Sequence, residues 1–244
     1  MKAMLCEKFG PPEDLVLKEV ADLIPLAGQV RIATEACGVN FPDTLIIENK
    51  YQFKPDLPFA PGGEVTGIVD AVGDGVSQDL LGQPVMCMTL SGGFAEQTIC
   101  KAEDLIARPS FMPSSVAAGF TMTYGTSMHA LKQRAQLQAD ETLLVLGAGG
   151  GVGLAAVEIG KQMNATVIAA ASSAEKLNAA KNAGADHLID YSQQDLRSAL
   201  KDIVGKKGVD VVYDPVGGDM FEAAKTKAYR HPTFYDIPDE IGHM

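Results

Sequence analysis

The sequence has no run of eighteen consecutive apolar residues, so no membrane-spanning helix is expected. It also lacks a signal-like apolar start, because Cys6, Glu7 and Lys8 interrupt the opening residues. Cysteine is scarce. The four present (Cys6, Cys37, Cys87, Cys100) are widely spread and form no C-x-x-C pair. That argues against a disulfide frame and for buried thiols in a reducing compartment, with a cytoplasmic location as the expectation. Basic residues are few as well: 20 Lys and Arg stand against 31 Asp and Glu, a net charge of −11. Such a chain repels phosphate backbones and anionic lipid, so neither nucleic acid nor a membrane is an expected partner. What remains is ordinary globular composition, with 46% hydrophobic and 21% charged residues, 25 Gly and 13 Pro. It sets aside disorder, collagen-like repeats and coiled coils. A length of 244 residues allows one large domain or two modest ones.

Two rhythms divide the chain. Up to about residue 110 it reads as short strands punctuated by Gly and Pro, at 2–7, 15–19, 30–36, 63–72, 84–89 and 94–100. Strands at this spacing predict an all-β barrel or sandwich-like domain. Beyond about residue 114 strand and helix alternate. Helix is expected at 116–131, strand at 142–146, helix at 152–163, strand at 166–171 and helix at 174–183, the last ended by Gly184. Segments 186–189, 194–204 and 209–213 continue the pattern. Strict alternation demands parallel strands with right-handed crossovers, hence a doubly wound α/β domain.

The strongest chemical signal lies between the 142–146 strand and the helix after it: Leu146-Gly147-Ala148-Gly149-Gly150-Gly151-Val152-Gly153. Small residues let the chain turn sharply, Gly150 lets it approach a pyrophosphate, and Gly153 lets the helix pack on the strand. The helix amino terminus offers free N–H groups and a positive dipole end. The pattern is Ala148-x-Gly150-x-x-Gly153, with alanine where the dinucleotide fingerprint carries its first glycine. The plain alternative is a glycine-rich turn without a ligand. NAD enzymes usually place an acid at the end of the second strand for the ribose 2′-hydroxyl. Here Ser172, Ser173 and Lys176 follow that strand, with Glu175 the one competing acid. Two hydroxyls and an ammonium suit a 2′-phosphate, which favours NADPH.

The chain resembles the zinc-free quinone oxidoreductase (zeta-crystallin-like) branch of the medium-chain dehydrogenase/reductase superfamily. The resemblance is carried by Phe9-Gly10-Pro11-Pro12-Glu13, Gly38-Val39-Asn40-Phe41-Pro42-Asp43, Pro61-Gly62-Gly63-Glu64, Gly93-Phe94-Ala95-Glu96, Tyr124-Gly125-Thr126 and Asp214-Pro215-Val216-Gly217-Gly218. It implies a GroES-like β-rich domain at residues 1–115, missing its carboxyl-terminal return. An incomplete NADP-binding Rossmann sheet at 116–225 and an atypical tail at 226–244 complete the expected organisation. The activity implied is hydride transfer from NADPH to a small-molecule quinone or enone. An enoyl-thioester reductase, or a product that binds nucleotide with little catalysis, are the alternatives, and a homodimer is a further expectation.

By the same resemblance Asn40 lies near the nicotinamide and Thr126 contacts its carboxamide. Tyr51 offers a hydroxyl at the substrate mouth, and Tyr191 packs by the adenosine phosphate. Ala148, Gly150, Gly151, Val152 and Gly153 form the turn around the pyrophosphate. The structural alternatives are a turn at Asn40, a helix cap at Asp43 and a half-buried core aromatic at Tyr51. Zinc-dependent relatives carry Cys-His where this chain has Asn40-Phe41, and Gly-His-Glu where it has Gly62-Gly63-Glu64. His129, His187, His231 and His243 show no ligand spacing, so no metal is expected. Leu45 and Ile47 replace a Tyr and an Arg of relatives, which predicts a more apolar substrate mouth. The last expectation is that strand 209–213 exposes an unpaired edge and leaves the chain marginally stable or oligomeric.

Overall fold

The computed structural model describes residues 1–225; the tail at 226–244, with Pro232 and Pro238, lies outside the described residues. The chain divides into two compact units, Met1–Met122 and Thr123–Met244.

In the first unit, strands β1 (Lys2–Leu5) and β2 (Val16–Glu19) form an antiparallel hairpin around Gly10-Pro11-Pro12. Strands β3 (Gln29–Gly38), β4 (Glu64–Val72), β5 (Pro84–Met88), β6 (Gln97–Lys101) and β7 (Ile106–Ala107) make one antiparallel sheet in the order β6-β3-β4-β5-β7. Every-other-residue burial builds its core: Val30 and Ile32 from β3 meet Val65, Val69, Val85, Cys87 and Cys100. Register shifts between Arg31 and Ile32 and between Thr34 and Ala36 mark bulges in β3, which bend the sheet. Between β3 and β4 lies the helix α1 (Phe41–Ile47), raised in the sequence only by the alternative of a cap at Asp43; Asn40 is the N-cap and Asp43 the third helical residue. The helix is too short for a period to emerge, and its inner residues Ile46 and Ile47 pack with Cys6 and Phe59.

Helix expected over 116–131 is broken. Segment α2 (Ser114–Ala117) stops at Ala118, and α3 (Thr121–Met128) starts again beyond Gly119, passing into a π turn at His129–Arg134. The break is a packing effect. The Ala118 carbonyl sits 2.2 Å from where a Cβ on Gly38 would be, so the end of α2 is pressed against β3 at a glycine.

The second unit is a four-stranded parallel sheet of β8 (Thr142–Leu146), β9 (Thr166–Ala171), β10 (His187–Asp190) and β11 (Val211–Tyr213), in the order β10-β9-β8-β11. All of β8 and residues 167–171 of β9 are buried, as strands covered on both faces must be. Their side chains alternate between two cores. Leu143, Val145, Val167 and Ala169 pack with Ala156, Val157 and Ile159 of α4 (Gly151–Gln162) and Ala180 of α5 (Ala174–Asn182). Leu144, Leu146, Ile168 and Ala170 pack with Leu196 and Leu200 of α6 (Leu196–Val204) and Ala224 of α7 (Gly218–Lys225). Helices on both faces make the sheet doubly wound. Its winding reverses between β8 and β11, the point where such sheets bind ligands. Helix α5 ends as expected, at Gly184 with φ +105.

Candidate functional site

The turn after β8 shows which glycines the fold itself requires. A Cβ on Gly153 would lie 2.3 Å from the Gly147 carbonyl oxygen and 2.8 Å from the Ala148 Cα, so the helix start rests directly on the turn backbone. A Cβ on Gly149 would meet the Lys176 Cβ at 2.4 Å. Gly147 adopts φ +59, a conformation that favours glycine. Gly150 differs. Its φ of −87 and ψ of 169 suit any residue, and a Cβ there would meet nothing nearer than the Gly147 oxygen at 3.5 Å. A backbone need for glycine at Gly150 is therefore ruled out, and its bare surface is left free for a ligand.

Gly150 is also the N-cap of α4, and among the described residues no side chain caps that terminus. The first-turn N–H groups of Gly151, Val152 and Gly153 thus have no intrahelical acceptors and carry the positive end of the helix dipole. Ala148 shapes the turn from beneath: it is fully buried and its N–H donates to the Ala170 carbonyl at 3.0 Å. Val152 is tied through its carbonyl, which accepts from Ser127 Oγ at 2.8 Å, and Ser127 also bonds the Tyr213 hydroxyl at 3.1 Å. Ser127, next to Thr126 on α3, fixes that helix to the start of α4. Thr126 itself is half-buried.

Ser172, Ser173 and Lys176 come together past the end of β9. Ser173 caps α5 by accepting from the Lys176 N–H at 3.3 Å, and the Lys176 ammonium reaches back to Ser172 Oγ at 3.4 Å. Because Lys176 packs on Gly149, this group sits beside the glycine turn. All three side chains are at least partly exposed, and among the described residues Lys176 forms no ion pair, unlike Lys161, which bonds Asp186 at 2.7 Å. Tyr191 follows β10, donates its N–H to the Ala171 carbonyl at 3.1 Å and packs half-buried on the α6 side of the sheet.

The candidates of the first unit are more fully engaged. Asn40 is the N-cap of α1, where it forms a capping box with Asp43, whose carboxylate accepts the Asn40 N–H at 2.8 Å. The Asn40 side-chain amide donates to Glu64 Oε2 at 2.9 Å. Glu64, 1% exposed, takes the Met122 N–H on its other oxygen at 2.9 Å. Burial raises the Asp43 carboxyl above its ordinary range, against the pull of the Asn40, Gly62 and Gly63 N–H groups. Burial likewise pushes the Cys37 thiol up to about 12, which leaves it protonated and unreactive. Tyr51 packs half-buried against Cys6, Ile46, Ile47 and Phe59. Ile47 is 3% exposed and belongs to this core. The bridging role of Glu64 had no local signal in the sequence, because its partners Asn40 and Met122 are distant in the chain.

Among the described residues no group of three His, Cys, Asp or Glu is placed to hold a metal ion. The four cysteines are free thiols. No helix among the described residues is long and apolar enough to cross a membrane.

A β unit followed by a doubly wound nucleotide fold defines the medium-chain dehydrogenase/reductase class. Family models agree: residues 26–110 match the alcohol dehydrogenase GroES-like domain, and residues 151–230 match the family described as zinc-binding dehydrogenase. The Bos taurus quinone oxidoreductase-like protein 2 is 38% identical over 93% of this chain and 65% of its own length. The Homo sapiens quinone oxidoreductase is 34% identical over 88% of this chain and 66% of its own. The crystal structure of the Escherichia coli quinone oxidoreductase complexed with NADPH superposes with a TM-score of 0.90 at 32% identity, covering 95% of this chain and 71% of that one. The chain belongs to the quinone oxidoreductase family. It spans 60 to 65% of the length of the first curated relatives it matches.

Proposed function

We propose that this chain binds NADPH on its second unit and that the protein is an oxidoreductase acting on a small-molecule quinone or enone. The observation that carries the reading is the glycine turn. Packing explains Gly149 and Gly153, whereas Gly150 is bare without an internal reason and opens an uncapped helix. That is a cradle for a pyrophosphate: N–H groups of Gly151, Val152 and Gly153 bind its oxygens and the dipole favours its charge. Lys176, with Ser172 and Ser173 beside it, binds the 2′-phosphate, and Tyr191 packs near it. An ammonium held by a hydroxyl and not by a carboxylate keeps its charge for an anion.

NADPH, when bound, supplies a hydride, so the protein's task is orientation and electrostatics. In this reading Thr126 hydrogen-bonds the carboxamide, Asn40 orients the nicotinamide, and Tyr51 donates its hydroxyl toward oxyanion charge on the substrate. Asn40 arrives pre-oriented, because a carboxylate only accepts and Glu64 therefore fixes its amide. The activity is metal-independent, since Asn40, Phe41 and Gly63 stand where zinc-dependent relatives carry ligands. Chelator-washed protein should hold well under one zinc per chain; stoichiometric zinc that survives chelation would refute this.

Titration with NADPH and NADH, followed by NADPH oxidation with a quinone panel, tests the function. Tighter binding of NADPH and turnover with quinones are expected. Turnover confined to enoyl thioesters would shift the substrate class. Binding without any turnover would leave a nucleotide-binding protein that is not an enzyme.

A further inference from the structure

The loop after β11 holds a carboxylate oxygen that nothing answers among the described residues. Asp214 is 8% exposed. Its Oδ1 accepts from the N–H groups of Val216 and Gly217 at 2.8 and 2.9 Å, which folds residues 214–217 into a tight loop. Its Oδ2 is buried and has no hydrogen-bond partner among the described residues. Buried acceptors are almost always paired, and one that is not points to a missing donor.

The position of the loop narrows the donor. Tyr213 of β11 pairs with Val145 of β8, so Asp214 and Leu146 leave the sheet side by side. A Cβ on Gly147 would lie 2.9 Å from Val216 Cγ2 and 3.7 Å from Pro215 Cγ, so the loop touches the glycine turn itself. β9 and β10 lie to one side of β8, and β11 lies to the other. Ligands of doubly wound sheets lie across that reversal, at the carboxyl ends of the strands. With the 2′-phosphate at Ser172 and Lys176 past β9, the far half of the dinucleotide extends toward β11. A carboxylate oxygen is answered only by a donor. In that half the donors are the ribose hydroxyls and the carboxamide, which the proposed function gives to Thr126.

We propose that Asp214 is a cofactor-binding residue whose free Oδ2 accepts a hydrogen bond from a hydroxyl of the nicotinamide ribose. This inference rests on the NADPH reading above. Its test needs a change that spares the loop. Asp214→Asn keeps one oxygen for Val216 and Gly217 and puts an amide nitrogen in place of Oδ2. Where that variant fails to fold, Asp214→Ser keeps a hydroxyl acceptor for the loop and withdraws Oδ2, with the same expected result.

Calorimetric titrations with NADPH and with adenosine 2′,5′-bisphosphate separate the two halves of the ligand. The variant should bind NADPH about tenfold more weakly, the loss typical of a hydrogen bond to a charged group, and bind the bisphosphate unchanged. Unchanged NADPH affinity would overturn the role of Asp214 while leaving the NADPH reading intact. Equal weakening of both ligands would show a loop-building role alone and overturn it too. Wild-type protein that binds neither ligand would remove the NADPH reading, and this inference with it.

Discussion

The two units treat their polar groups differently. In the first, Asn40, Asp43, Glu64 and the Met122 N–H satisfy one another, and the cluster is closed at Glu64, which is 1% exposed. In the second, capacity is left over among the described residues: an uncapped α4 terminus, a lysine with no ion pair, and an unanswered oxygen on Asp214. Satisfied networks hold a fold together, whereas unspent donors and acceptors cost stability unless a ligand uses them. The difference assigns the first cluster mainly to architecture and the second to binding.

The largest effect that would sharpen this contrast is expected at Gly153. A branched side chain there must displace the Gly147 carbonyl, 2.3 Å from its Cβ, and backbone cannot give way as a side chain can. Gly153→Val should destabilise the second unit by roughly 3 kcal/mol or more, at the upper end of overpacking costs. Thermal melts followed by circular dichroism measure it, and a melt within a degree of wild type would contradict the packing account.

Next in size is Glu64→Leu, which leaves the Asn40 amide and the Met122 N–H without acceptors. An unanswered buried donor costs about 1–3 kcal/mol. A loss of about 2 kcal/mol by denaturant unfolding is expected. An unchanged midpoint would show that the cluster is not what holds α1 in place.

A smaller effect is expected at Lys176. Lys176→Ala should weaken NADPH by about 1–2 kcal/mol, in the range of a charged hydrogen bond, and leave NADH nearly unchanged. Equal losses for both nucleotides would show that the ammonium does not read a 2′-phosphate.

How far all this was legible in the sequence also differs between the units. Strands β8 and β9 were read to the residue, because burial on both faces leaves a continuous apolar run bounded by polar turns. The glycine turn stood out because its context, strand before and helix after, is local. Helix α1, hinted at only by a capping residue at Asp43, and the two-residue β7 set no period, since neither is long enough. The break between α2 and α3 was hidden because its cause is contact with Gly38, far away in the chain. Glu64 was missed for the same reason: its partners lie 24 and 58 residues distant. Asp214 was quoted as part of a motif, but only the folded loop shows one oxygen spent and the other without a partner among the described residues.

The central claim is that the turn opening at Gly150 is a nucleotide cradle, and calorimetric titration of NADPH into wild-type protein and Gly150→Val tests it most directly. The fold tolerates a side chain there, at φ −87 with 3.5 Å to the nearest atom, so the variant should fold like wild type. Its branched side chain would occupy the pyrophosphate's approach, and NADPH affinity should fall by at least about tenfold. A folded Gly150→Val that binds NADPH as tightly as wild type would contradict the account.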